Sequence, residues 1–366
     1  MQQRVLHMIG SLNVGGSQAF VLNIYKNIDR NLIQFDFVMD RESENALKPV
    51  VEALGGKIYV MPKFMGYNFQ EVIKSWNVFF QNHPEYKIIH SHVRSYAILY
   101  LSVAKKYGLK TIIHSHSISN GRGLSAFGKK ILQFPIRFKC DEFLACSLEA
   151  GKWLFGERIV EGSHFHIVKN GIETSKYIFS EEGRKRIRME LGLGEEETYI
   201  SVGRLSAVKN HAFLLRIFRK ILIVQPNAVL LLIGDGPEKD AIQSQVEELG
   251  LQEHVRMLGI RMDIPDLLWA SDCFLFPSKW EGLGIAAIEA QASSLPCLCS
   301  TAVPGLAKVT EFCKFISLRD SDAWVKEALS FRPIRRNTGN DIVEAGFDVS
   351  EVTKWMENFY LSLVTK

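Results

Sequence analysis

Short apolar runs alternate with amphipathic stretches along the chain, and that alternation leaves few folds open to it. Arg4–Gly10, Phe35–Met39, Lys57–Met61, Lys87–Ser91, Thr111–Ser115, Glu142–Cys146 and His166–Val168 read as short strands rich in branched or aromatic residues. Helical patterns lie between them, at Ser17–Asn27 and near residues 46–54 among others. The design repeats with Tyr199–Val202, Val229–Ile233, Val255–Leu258, Cys273–Phe276 and Cys297–Ser300. Strand–helix alternation of this kind predicts an α/β architecture of two doubly wound parallel sheets. Ligands in such sheets bind outside the carboxyl ends of the strands, so two facing Rossmann-like domains would hold their site in the cleft. The turn dipeptide Asn170-Gly171 marks the expected boundary, giving domains 1–170 and 171–346. A last helix, from Val349 to about Leu363, carries Trp355, Phe359 and Tyr360.

Composition narrows the class. The chain's 366 residues are enough for two separate cores, and 47% hydrophobic with 23% charged residues is the balance of a soluble globular protein. No run approaches 18 uninterrupted apolar residues, and the opening Met-Gln-Gln-Arg-Val-Leu-His does not read as a signal peptide. Six cysteines without a Cys-x-x-Cys pair suggest reduced core residues of a cytoplasmic protein. Charge is uneven: residues 1–170 carry 21 Lys+Arg against 13 Asp+Glu, and the remainder 23 against 27. The basic half points to an anionic partner, a membrane surface or an acidic substrate. No nucleic-acid recognition motif accompanies it.

Three stretches carry chemistry. Ser278-Lys279-Trp280-Glu281-Gly282-Leu283-Gly284-Ile285 follows a buried strand and leads into an apolar helix that contains Glu289. An unpaired carboxylate in that helix would cost several kcal/mol, so Glu289 needs a hydrogen-bonding partner. Glu281 lies in the loop, beside helix N-terminal amides suited to phosphate. A capping Glu281 and an ion-paired Glu289 inside the fold would also satisfy the pattern. Gly203-Arg204-Leu205-Ser206-Ala207-Val208-Lys209-Asn210 ends a strand before a helix, where Arg204 and Lys209 are either phosphate ligands or solvated surface cations. The loop Gly10–Ser17, with Gly15-Gly16, is not the Gly-x-Gly-x-x-Gly of dinucleotide enzymes and would equally serve as a plain turn. His90-Ser91-His92 and His114-Ser115-His116 close two strands, each pair sharing one strand face. They lack the carboxylate or cysteine pattern that would complete a metal site. Gly234-Asp235-Gly236 reads as architecture, and Asp320-Ser321-Asp322 as a helix cap and not a metal motif.

Glu281-x7-Glu289, followed by Ala-Gln-Ala-Ser and Leu-Pro, closely resembles the retaining GT-B glycosyltransferases of family 4, in particular those of bacterial capsule and exopolysaccharide synthesis. The resemblance implies that the first domain, with the last helix (347–366) packed back on it, binds the acceptor, and that the second binds the nucleotide-sugar donor. It implies that Glu281 touches donor-sugar hydroxyls, that Gly282, Leu283, Gly284 and Ile285 hold the diphosphate through their backbone, and that Glu289 binds the ribose. Arg204 and Lys209 would neutralise the diphosphate, Gly15 and Gly16 would let the backbone approach it, and His116 would line the cleft near the sugar. His92 is the weaker candidate beside it. Two positions depart from the family: Lys169 stands where Pro usually precedes the Asn-Gly, and Ser294 where many relatives have Gly.

The expected activity is transfer of a hexosyl unit from a nucleotide sugar, a UDP-sugar first, to a growing lipid-linked surface polysaccharide. Configuration at the anomeric carbon would be retained, and neither metal nor cofactor is expected. A sugar-nucleotide epimerase or hydrolase of the same fold, and a non-catalytic partner subunit, are the alternatives. The segment Arg122–Lys139 mixes Arg122, Lys129, Lys130, Arg137 and Lys139 with Leu124, Phe127, Ile131, Leu132, Phe134, Ile136 and Phe138, without an acid. It suits peripheral attachment to anionic lipid on the inner membrane face, through the part before Pro135. The same apolar residues packed on the first sheet would explain it as well.

Overall fold

In the computed structural model, which describes residues 2–13, 16–40, 47–116 and 124–364, every strand pairing is parallel. The first sheet is built from β1 (Gln3–Gly10), β2 (Ile33–Met39), β3 (Ile58–Val60), β4 (Ile88–Ser91), β5 (Lys110–Ser115), β6 (Glu142–Ala145) and β7 (Phe165–Ile167), in the order β3-β2-β1-β4-β5-β6-β7. The second comprises β8 (Thr198–Val202), β9 (Val229–Ile233), β10 (Val255–Gly259), β11 (Cys273–Phe276), β12 (Cys297–Ser300) and β13 (Cys313–Ile316), in the order β10-β9-β8-β11-β12-β13. Helices cover both faces, which is why the central strands are continuously apolar: Val229 through Ile233 are all buried. The two-sheet α/β fold expected from the sequence is present.

The predicted strands fall within one or two residues of their observed ends, but the sequence reading misses β13. That strand lies at an edge, and Lys314 interrupts its apolar run, its ammonium donating to Glu327 at 2.6 Å. Half-exposed edge strands lose the continuous apolar signal that reveals buried ones.

The chain divides into one unit of Met1–Ile172 with Phe347–Lys366 and another of Glu173–Gly346. The returning segment pairs with the departing one: the Ile172 amide donates to Phe347 O at 2.8 Å and the Val349 amide to Ile172 O at 2.9 Å. The helix Val349–Val364 then buries Val352, Met356, Phe359 and Tyr360 in the core of the first unit, with Phe20, Val21 and Ile24 of the helix Gly16–Asn27. Five of the six free cysteines are buried. Asp320 caps the helix Ser321–Ser330, its Oδ1 accepting from the Ala323 amide at 2.9 Å, as its position before the apolar run suggests.

Ser294 holds a left-handed backbone, with φ +53°. A non-glycine residue there bears a cost of about 1–2 kcal/mol. Its hydroxyl donates to the Arg336 carbonyl and lies 3.4 Å from Thr338 Oγ1, contacts a glycine cannot make. Ser294→Ala keeps the backbone cost and loses the hydrogen bond, so it should destabilise the protein by about 1–2 kcal/mol, whereas Ser294→Gly should stay within about 1 kcal/mol of wild type. Urea denaturation of both variants measures this; an Ala variant as stable as wild type would show that the hydroxyl contributes nothing.

Candidate active site

In the second sheet, sequence order reverses between β8 and β11, which are neighbours. The loops that leave their carboxyl ends diverge there, and such a point is where open α/β sheets take ligands. The two loops are tied together: the Lys279 amide donates to Val208 O at 2.8 Å, and Asn210 Nδ2 to Pro277 O at 3.2 Å. This brings Lys209 to Glu281 across 72 positions of sequence, Nζ donating to Oε1 at 2.7 Å. The ammonium also lies 4.4 Å from the ring centre of buried Phe276. Both side chains keep some solvent contact, 19% for Lys209 and 15% for Glu281. Arg204 is exposed and has no carboxylate partner among the described residues.

Beneath this loop the Gly234–Gly236 turn has an architectural reason for its glycines. A Cβ on Gly234 would sit 2.1 Å from Gly203 O, so only glycine lets the two loops stack backbone on backbone. The Leu205 amide donates to Asp235 O at 3.0 Å and completes that support.

Gly284, left-handed at φ +91°, turns the chain into the helix Ile285–Ala292. Leu283 points into the core, so only its backbone faces the loop side. Glu289 lies on the less buried side of a helix otherwise buried through Ala286, Ala287, Ile288, Ala290 and Gln291. Its partner is neutral: Tyr177, on the short helix Thr174–Tyr177, donates its hydroxyl to Oε1 at 2.9 Å. Burial of the carboxyl pushes its pKa up to about 7, with the phenol and the Lys209 charge opposing the rise. The sequence reading asked for a partner but could not name Tyr177, which stands 112 positions away in a stretch without a motif.

The first unit gathers the histidines more tightly than the sequence suggests. His7 of β1 is in register with His90 of β4, and the two His-Ser-His ends lie on neighbouring strands β4 and β5. His7 Nδ1 is 3.1 Å from His92 Nε2, and His92 Nδ1 is 2.8 Å from His116 Nε2. His90 Nδ1 meets the Tyr360 hydroxyl at 2.6 Å. Burial lowers the pKa of every one of these rings, that of His116 to about 3, so they are neutral. His114 and His116 lie face to face, 4.0 Å apart and 24° from parallel, and with His92 they bring one ring nitrogen each within 4.8 Å of one another. Gly16 opens the helix Gly16–Asn27, and a Cβ there would meet nothing within 4 Å. Gly15 and Arg122 lie outside the described residues.

The basic stretch forms the helix Leu124–Gln133 and a 3-10 turn, Phe134–Phe138. Gln133 and Ile136 are buried and hold it down, while Ile131 (58%), Phe134 (55%) and Phe138 (71%) are exposed. Phe134 and Phe138 touch edge to face, 5.7 Å between centres, with Lys130 and Lys139 exposed nearby in sequence. The exposed aromatics lie on both sides of Pro135. No described helix is long and apolar enough to cross a membrane.

Comparison with known proteins gives two family matches: residues 14–176 match the glycosyltransferase family 4 model, and residues 183–314 the glycosyl transferases group 1 model. The putative glycosyltransferase EpsF of Bacillus subtilis (strain 168) is 27% identical over 374 residues, 98% of this chain and 96% of that protein. The Escherichia coli UDP-Gal:alpha-D-GlcNAc-diphosphoundecaprenol alpha-1,3-galactosyltransferase is 26% identical over 299 residues, 76% of each chain. Among solved structures, Anabaena Alr3699/HepE in complex with UDP and glucose shares the fold with a TM-score of 0.81 at 20% identity, over 99% of this chain and 100% of that one.

Proposed function

Because this chain belongs to the glycosyltransferases that join a family 4 segment to a group 1 segment, we propose that it moves a hexosyl unit from a UDP-sugar to a growing, lipid-linked surface glycan with retention of configuration. The observation that carries the reading is the Lys209–Glu281 pair at the β8/β11 reversal, with exposed Arg204 earlier in the same loop. Two cations beside a helix N-terminus stabilise the charge that grows on a departing diphosphate. In this reading the second unit binds the donor: Arg204 and Lys209 take the diphosphate, with the backbone of Gly282, Leu283, Gly284 and Ile285, Glu281 the sugar hydroxyls, and Glu289 the ribose. The first unit, to which Gly15, Gly16 and His116 belong, binds the acceptor. The bond from the anomeric carbon to the phosphate oxygen breaks as the acceptor oxygen bonds to the same face. The acceptor's proton passes to the leaving phosphate, so the residues here need bind and orient only. Neither a metal nor a cofactor has a part in this scheme.

Support for the donor and acceptor classes comes from the relatives: the E. coli protein's name specifies UDP-Gal and a diphosphoundecaprenol acceptor, and HepE is solved with UDP and glucose. A thermal-shift screen of UDP- and GDP-sugars, then mass analysis of products on polyprenyl-diphosphate acceptors in the presence of EDTA, tests the whole reading. Stabilisation by a UDP-sugar and a product one hexose heavier are expected. Release of free sugar without acceptor would favour a hydrolase, and loss of activity on chelation would overturn the metal-free scheme.

Exposed Ile131, Phe134 and Phe138 among cations suit the enzyme to the inner face of the cell membrane, where a lipid-linked acceptor is found. Each cation near an anionic surface contributes about 1 kcal/mol. Binding to liposomes should require anionic lipid, fall with salt, and weaken in Lys129→Glu/Lys130→Glu. Equal binding by that variant would end the idea.

A further inference from the structure

The second sheet brings three of the six free cysteines together, and the transfer chemistry uses none of them. Cys297 and Cys299 are alternate residues of β12, so their side chains leave the same face of the strand. Cys313 of β13 is in register with Cys297. All three are buried in the apolar cluster that holds Ala287 and Ala290 of the helix Ile285–Ala292, whereas Cys273 of β11 faces the opposite core. The thiols turn to one another. Cys299 Sγ lies 3.5 Å from Cys297 Sγ and 3.9 Å from Cys313 Sγ, and all three sulfurs lie within 4.8 Å of one another.

A soft ion bonded to three sulfurs at about 2.3 Å each needs them about 3.5–4.0 Å apart, for arrangements from pyramidal to flat. The cluster meets that spacing with little movement. A disulfide would engage two of the sulfurs and leave the third over; a three-coordinate ion engages all of them. Charge then selects among the soft ions. Three thiolates around monovalent copper would leave two negative charges in an apolar layer. Around zinc they would leave one, with the fourth ligand that zinc takes still to be found. No fourth His, Cys, Asp or Glu joins the group among the described residues. Lys308 acts on Cys313 and Glu281 on Cys299 with opposite sign, so the two do not balance an anionic product. Trivalent arsenic held by three thiolates is neutral and three-coordinate, which suits a buried apolar setting.

We propose that Cys297, Cys299 and Cys313 form a binding site for trivalent arsenic, taken up as arsenous acid. Three As–S bonds replace three As–O bonds, and the thiol hydrogens leave with the three hydroxyls as water. Neither sulfur nor arsenic changes oxidation state. β13 is an edge strand, so its local opening gives the reagent a way to the buried sulfurs. The occupied site ties β12 to β13 beneath the helix that carries Glu289.

Intact-mass spectrometry of the reduced full chain, after prolonged incubation with sodium arsenite, tests the site. The expected product gains one arsenic and loses three hydrogens, and its Tm rises by about 5 °C at saturating arsenite. Zinc ion in place of arsenite should leave Tm unmoved. Cys297→Ala, Cys299→Ala and Cys313→Ala should each lose the three-hydrogen adduct, whereas Cys140→Ser and Cys273→Ala should keep it. X-ray absorption at the arsenic edge of the wild-type adduct should show three sulfur neighbours and no oxygen, which decides even should the variants fold poorly. No adduct, an adduct lacking only two hydrogens, oxygen beside the arsenic, or an adduct retained by Cys313→Ala would overturn the proposal. Equal stabilisation by zinc would overturn the choice of a trivalent ion.

Discussion

Glu289→Gln is expected to make the free protein more stable above pH 7 while weakening its hold on the donor. Burial raises the Glu289 carboxyl to about 7 from an unfolded value of 4.5. A raised value means the folded state keeps the proton that the unfolded chain gives up. The stabilising effect of that retained proton is complete below pH 4.5 and is lost as pH climbs through 7. The loss over that window is about 3 kcal/mol. Glutamine carries no such slope and still accepts from the Tyr177 hydroxyl. Urea unfolding should therefore show wild type and variant close together near pH 4.5 and the variant ahead by about 2–3 kcal/mol at pH 8. Donor binding, measured by calorimetry with UDP, should move the other way by about 1–3 kcal/mol, the worth of a hydrogen bond to a charged group. Parallel pH profiles would show that Glu289 is not held near neutrality; unchanged UDP affinity would remove it from the donor site.

Lys209→Ala should be the more damaging of the two cation deletions, lowering kcat/KM by about 10²–10³-fold. Its ammonium is 2.7 Å from Glu281, so deletion removes a positive charge and leaves that carboxylate without its cation. Arg204, exposed and without a carboxylate partner among the described residues, leaves no such residue behind when removed. Both variants should lose affinity for UDP far more than for uridine. Adding Glu281→Gln to Lys209→Ala should recover part of the UDP affinity even though transfer stays impaired. Equal losses for UDP and uridine would show that neither cation meets phosphate, and no recovery in the double variant would show that the pair does not act as a unit.

The parts of this site that were legible in the sequence share a physical cause. Glu281 and Glu289 stand in one continuous stretch, where a strand end, a glycine turn and an apolar helix each leave a local signature. Arg204 and Lys209 follow another strand end and are located by it. What escaped is whatever arrives from elsewhere. Tyr177 reaches Glu289 from a four-residue helix with no amphipathic period, and His7 sits in an apolar strand where a polar residue reads as an isolated exception. Only the parallel register of β1 with β4 turns His7 from an oddity into one end of a row. Pattern fixes elements along the chain; the pairing of side chains across them needs the sheet order.

Tyr177 also lies between the two matched family segments, after residue 176 and before residue 183. Besides holding Glu289, its carbonyl accepts from Trp269 Nε1 at 3.1 Å. At the other side, Thr338 lies beyond residue 314 and donates to Gln291 O at 2.7 Å, on the same helix as Glu289. A graft bounded by residues 183 and 314 would therefore transplant the carboxylate and leave behind Tyr177, which holds it, and Thr338, which braces the end of its helix. For building chimeras that exchange the second unit between relatives, the transferable cassette is residues 173–346, with seams placed where Ile172 and Phe347 already run side by side.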